Sequence, residues 1–74
     1  MKKQTFSVTG DYIRLDDLLK VTGYVTTGGQ AKLMIQNGAV LVDGAVCTQR
    51  GKKLRGGETV TVPAADGEIL LARP

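Results

Sequence analysis

The chain changes hydrophobic period several times, and each change marks an element. QTFSV alternates apolar and polar positions, which predicts a short strand with Phe6 and Val8 on one face. In LDDLLKVTG the period lengthens: Leu15, Leu18 and Leu19 fall at i, i+3 and i+4, the stripe of an amphipathic helix, and Gly23 suits the position just past its end. TTGGQAKLMIQNG repeats that spacing with Ala31, Met34 and Ile35. Thr27 followed three residues later by Gln30 is a capping-box start, and Gly38 after Asn37 is a stop. Alternation then returns. AVLVDGAVCT flanks Asp43-Gly44, a pair that favours a type I′ hairpin turn. QRGKKLRGG reads as a connection. ETVTV turns Val60 and Val62 inward and stops at Pro63, AADG is a turn, and EILLA is a last strand. The order predicts an α+β fold, with two N-terminal-half helices packed on a small, mostly antiparallel sheet of about four to five short strands.

A chain of 74 residues, 42% of them hydrophobic, forms one folded domain, residues 1–74, with a small core and no room for a large cleft. The formal net charge is +3, but its distribution is uneven. Between Lys32 and Arg55 lie Lys32, Arg50, Lys52, Lys53 and Arg55 against the single acid Asp43, so this stretch alone carries +4. A concentrated basic patch is the electrostatic footprint of a polyanion binder; the competing reading is a solvated loop that aids solubility.

The chemistry available is narrow. There is no histidine and one cysteine, Cys47, so neither an internal disulfide, a thiolate–imidazole pair nor a zinc ligand set can form. In AVCT a small buried hydrophobe is the natural role for Cys47. Asp16 and Asp17 are adjacent, hence about 100° apart on a helix, and read as first-turn charges that complement the helix dipole rather than as a catalytic pair. GKKLRGG lacks the spacing of a nucleotide loop. MKKQTFSVTG has no apolar run behind its lysines, which predicts neither a signal peptide nor a membrane span, and so a cytoplasmic protein. The expectation is a non-enzyme with no catalytic residues, no metal and no cofactor. Gly28-Gly29 at the start of the second helix either gives a flexible entry or lets the backbone approach an anion.

TTGGQAKLMIQNGAVLVDGAV resembles the alpha-L RNA-binding motif of the small-subunit ribosomal protein S-four type. That family reads roughly Ser-Arg-x-x-Ala-Arg, an apolar stretch, Gly, and a Val-x-Val-Asn-Gly hairpin. Thr27 takes the Ser position, Ala31 and Lys32 take Ala-Arg, Gly38 the helix stop and Asp43-Gly44 the turn. IRLDDLL is similar to the family's Arg-Leu-Asp opening of the first helix, and LRGGETVTV to its closing strand. The resemblance covers about Ile13 to Val62, the motif core, and the short chain is like the small stand-alone YbcJ-type proteins, which are little more than this domain. It implies binding of structured RNA by the two helices and the adjoining loop, the mode of family members in ribosomal proteins, pseudouridine synthases, a tRNA synthetase tail and a ribosome-associated heat shock protein. The family's Arg after Ser is Gly28 here, so one expected phosphate contact is missing.

Together these readings make Lys32, Arg50, Lys52, Lys53 and Arg55 the candidate phosphate contacts. The start of the second helix (Thr27 and the amides near Gly28, Gly29 and Gln30) would add an anion site on the same surface. Arg14 is a further candidate that could instead pair with an acid on its own helix, and Leu54 anchors the basic loop to the core. Of the aromatics, Phe6, Tyr12 and Tyr24, none lies in the basic stretch. Single-strand binders use aromatic platforms, so a ribosomal or tRNA-like hairpin or duplex is the expected partner, bound mainly through phosphates by a monomer with no membrane role. A second reading stays open: a protein-interaction adaptor for an acidic partner, or an accessory domain for a separate RNA-modifying enzyme.

Overall fold

The computed structural model describes residues 2–73. The elements are β1 (Lys2–Ser7), β2 (Ile13–Arg14), α1 (Leu15–Val21), α2 (Gly28–Gln36), β3 (Leu41–Val42), β4 (Ala45–Val46), β5 (Lys53–Leu54), β6 (Thr59–Val62), a 3₁₀ turn (Pro63–Ala65) and β7 (Gly67–Ala72). Five strands form one sheet in the order β1-β7-β6-β3-β4, and β2 pairs with β5 in a separate two-stranded ladder. Every pairing is antiparallel except that of β1 with β7. The expected α+β architecture is therefore present, with one parallel contact where the first strand lies beside the last.

Local signals act as their chemistry dictates. Gly23 and Gly38 follow α1 and α2 at φ +88° and +79°. In both cases the next residue's N–H reaches back to close the helix: Tyr24 to the Leu19 carbonyl at 3.0 Å, Ala39 to that of Met34 at 3.1 Å. Thr27 caps α2 by accepting the Gln30 N–H at 3.1 Å. The reciprocal bond is shifted by one residue, because Gln30 Oε1 accepts from the N–H and hydroxyl of Thr26. Asp43 and Gly44 both have positive φ, +51° and +83°, as a type I′ turn requires. Asp43 stays there because its carboxylate accepts the Thr59 N–H at 2.9 Å, which ties the hairpin to β6.

The core sits between the helices and the five-stranded sheet. Leu15, Leu18 and Leu19 of α1 and Ala31 and Ile35 of α2 are fully buried against Val60, Val62 and Ile69. Each such Leu, Ile or Val side chain contributes about 2 kcal/mol of transfer free energy, and Ala31 less. Phe6 packs against the cluster from the edge strand and Val8 is buried just beyond it.

Two expectations need correction. Cys47 lies just past β4 and is half-buried rather than buried, its Sγ 3.7 Å from the Gln49 carbonyl oxygen. More consequential is QRGKKLRGG. This segment is not a free connection: Lys53–Leu54 is a strand, paired Ile13 to Leu54 and Arg14 to Lys53.

Candidate functional site

The β2–β5 ladder explains how a basic segment is displayed. Leu54 is completely buried and Ile13 opposite it packs on the core. Successive side chains of a strand point to opposite faces, so the neighbours of this inward pair turn outward. They are Tyr12 and Arg14 on one strand, Lys53 and Arg55 on the other, and all four are exposed. Leu54 is thus the apolar anchor that fixes a basic face.

The remainder of the segment is held by the start of α1. The Leu15 N–H donates to the Lys52 carbonyl at 2.9 Å and the Asp16 N–H to that of Arg50 at 3.0 Å. A helix leaves its first N–H groups without partners, and Arg14 at the N-cap position supplies no side-chain cap. The basic segment caps α1 instead, while the side chains of Arg50 and Lys52 stay exposed. Arg14 does pair with an acid of α1: its Nη2 lies 3.2 Å from Asp16 Oδ2. Asp16 also accepts the Asp17 N–H at 2.8 Å, so both adjacent acids have local structural roles, Asp17 facing Lys20 at 3.5 Å.

At the other end the chain turns through Arg55-Gly56-Gly57-Glu58. Gly56 has φ +118°, and a Cβ there would come within 2.4 Å of Arg73 Cγ, so no other residue fits without displacing Arg73. Arg73 is a basic neighbour that the sequence pattern missed, because it lies beyond the motif; its guanidinium donates to the Gly10 carbonyl at 3.0 and 3.1 Å. Glu58 closes the turn, accepting the N–H groups of Arg55 at 2.9 Å and Gly56 at 2.7 Å. Partial burial pushes the Glu58 carboxyl up, but the backbone donors at Arg55, Glu58 and Gly56 and the charge of Lys52 outweigh it and hold the group below its ordinary 4.5. With the folded value depressed, this stabilisation is complete above pH 4.5 and is lost as pH falls through the folded value. Glu58→Ala should therefore cost about 1 kcal/mol at neutral pH, and its deficit should shrink in acid. Urea denaturation at both pH values checks this, and an equal deficit in acid would rule out the charged carboxylate as its cause.

The α2 start is a separate exposed feature. Lys32 is exposed one residue after buried Ala31, and Gly29 and Gln30 are exposed beside half-buried Gly28. The Gln30 amide is occupied by Thr27, which leaves those of Gly28 and Gly29 as the candidate anion donors. No hydrogen bond or ion pair among the described residues joins this group to residues 49–55; those bonds run to α1.

The second omission of the sequence reading is Tyr12. In the chain it lies far from the basic stretch, but the ladder carries it there. Lys53 Nζ sits 5.0 Å from the ring centroid and Arg55 Cζ 5.9 Å from it. The signal was the pairing of IRL with KKL, which neither segment announces alone.

A depression of about 470 Å³ runs beside the hairpin between Val46, Cys47, Gln49 and Lys52, open to solvent. Asp43 at its rim is engaged with Thr59, and the chain has no histidine to activate the Cys47 thiol. Among the described residues no cluster of metal-ligating side chains is present, and no helix is long and apolar enough to cross a membrane.

Known proteins match this architecture. The YbcJ protein of Escherichia coli (strain K12) is 46% identical over 50 residues, 68% of this chain and 71% of that protein, and YbcJ of Shigella flexneri matches to the same extent. The solution structure of E. coli YbcJ, described as revealing an alpha-L motif involved in RNA binding, superposes with a TM-score of 0.61 at 34% identity, covering 95% of this chain and 87% of that one. The S4 domain family matches residues 6–70, which take in both helices, the β2–β5 ladder and the hairpin. With that span and those relatives, the chain belongs to the S4 domain family.

Proposed function

We propose that the protein binds structured RNA, a ribosomal or tRNA-like hairpin or duplex, and catalyses no reaction on it. The observation that carries this reading is the β2–β5 ladder. It buries Leu54 and turns Arg14, Lys53 and Arg55 outward beside Lys52 and Arg50, on a chain of the S4 domain family whose E. coli relative carries an alpha-L motif described as involved in RNA binding. Guanidinium and ammonium groups on a backbone held by a buried anchor are displayed on one face for charge-assisted contact with phosphates, which carry position rather than base readout. Lys32 and the α2 start, with Thr27 as cap and the Gly28 and Gly29 amides as donors, add a second contact region for the same RNA. The protein acts in the cytoplasm as a monomer, on the ribosome or beside an RNA-modifying enzyme. An adaptor that docks an acidic protein partner with this face is the competing reading, and capture of partners with and without ribonuclease separates the two.

Gly28→Arg tests the α2 part. Gly28 lies outside the left-handed region and a Cβ there meets nothing within 4 Å, so the substitution is unstrained. Restoring the family's Arg should raise affinity for a structured RNA hairpin by about 1 kcal/mol, one charge-assisted contact. A folded variant of unchanged affinity in an anisotropy titration would show that the α2 start does not face RNA.

A further inference from the structure

We infer that Tyr12, flanked by Lys53 and Arg55, is a stacking platform for one unpaired nucleotide, so that the bound RNA is a duplex or hairpin interrupted by an unpaired base at this point. The inference rests on the RNA-binding reading and adds base contact to a surface otherwise limited to phosphates.

Tyr12 has no part in the core, and among the described residues its ring contacts are with the two cations alone. Its side chain is 40% exposed, and it belongs neither to the core cluster nor to the hydrophobics packed on that cluster, whereas Phe6 and Tyr24 do. Among the described residues its hydroxyl makes no hydrogen bond. Its position is nevertheless fixed. It directly precedes Ile13, whose partner Leu54 is fully buried, and the ladder's register continues to set Tyr12 opposite Arg55 with Lys53 on the diagonal. Aromatic and long side chains reach one another at both separations on a sheet face. The measured distances, 5.0 Å for the Lys53 ammonium and 5.9 Å for the Arg55 guanidinium, are those of cations against an aromatic ring.

An exposed ring in contact with two cations matches the chemistry of a nucleotide, whose base displaces a cation from the ring face as that cation turns to the phosphate. The base stacks on the ring, and the phosphates on either side of it meet the Lys53 and Arg55 charges. Every base has a π-face, so the platform accepts an unpaired nucleotide without reading its identity. A paired base offers no exposed face and cannot use it. An acidic peptide would satisfy the two cations but gain little from the ring between them.

The test uses two RNAs, a fully paired duplex and the same duplex with a short run of bulged adenosines, titrated by anisotropy. The unaltered protein should bind the bulged RNA about tenfold more tightly, as expected for one stacked base. Tyr12→Leu should abolish that preference and leave duplex affinity unchanged, while Tyr12→Phe keeps the preference. The chain has no tryptophan, so Tyr12→Trp installs a single reporter whose fluorescence the bulged RNA should quench and the duplex should not. If Tyr12→Leu weakens both RNAs by the same factor, the ring only orients Lys53 and Arg55 and the platform is overturned. If the unaltered protein shows no preference, the platform is overturned while RNA binding stands. If it binds neither RNA, the proposed function itself fails, and the platform with it.

Discussion

Lys52→Glu combined with Lys53→Glu should weaken RNA binding by more than a hundredfold and leave the fold intact. The structural part of the expectation rests on where these residues make their contacts. Lys52 accepts the Leu15 N–H through its carbonyl and Lys53 pairs with Arg14 through the β2–β5 backbone; both side chains are exposed and outside the core, that of Lys53 resting on the Tyr12 ring and that of Lys52 acting on Glu58 through its charge alone. Exposed substitutions of this kind move stability by about 0.5 kcal/mol or less. The functional part follows from charge. Two attractive contacts become two repulsive ones, and each charge-assisted contact is worth about 1.5–3 kcal/mol, so the pair reaches a hundredfold without help. Lys2→Glu with Lys3→Glu makes the same change in net charge on β1, an edge strand of the five-stranded sheet, and serves as control. Equal loss in both variants would mean that only global charge matters. No loss in either would leave residues 49–55 without an RNA role and favour the adaptor. Circular dichroism should match the parent in both.

Salt provides the second large effect. Four phosphates neutralised by the basic side chains release their counterions on binding, so affinity should fall about a hundredfold as salt rises from about 50 to 200 mM. The log–log slope measures how many contacts are made. The Lys52→Glu, Lys53→Glu variant should lose about two units' worth of that slope in whatever binding remains, because two phosphate contacts are gone. A flat response in the parent would remove the electrostatic account altogether, since phosphate neutralisation must release counterions.

Much of the fold was legible because its signals are local. The stripes Leu15-Leu18-Leu19 and Ala31-Met34-Ile35 face the core as their spacing requires; Met34 is half-buried and packed on the core, and the other five residues are fully buried. Thr27 sets the start of α2 through its side-chain cap, and Gly23, Gly38 and Asp43-Gly44 set the helix ends and the hairpin through left-handed torsions that few other residues tolerate. The exposure of Lys32, Arg50, Lys52, Lys53 and Arg55 was equally readable, because charged side chains on a chain this small have nowhere else to go.

What the sequence could not announce is long-range pairing. Two residues, Lys53-Leu54, are too short to show a strand period, so the segment read as a loop until Ile13-Arg14 came beside it. That one pairing decides most of the site. It converts the buried Leu54 into an anchor, puts the Arg50 and Lys52 carbonyls on the uncapped start of α1, and carries Tyr12 to the cations. Arg73 joins Gly56 for a similar reason, since β7 ends where the Arg55–Glu58 turn begins. The sequence by itself determined the two helices, most of their buried apolar positions and the placement of charge along the chain, because those follow from periodicity and solvation residue by residue. Only the tertiary structure decided which helix the basic segment joins and which aromatic stands beside it, because those depend on hydrogen bonds between backbone groups that every residue has and no side chain marks.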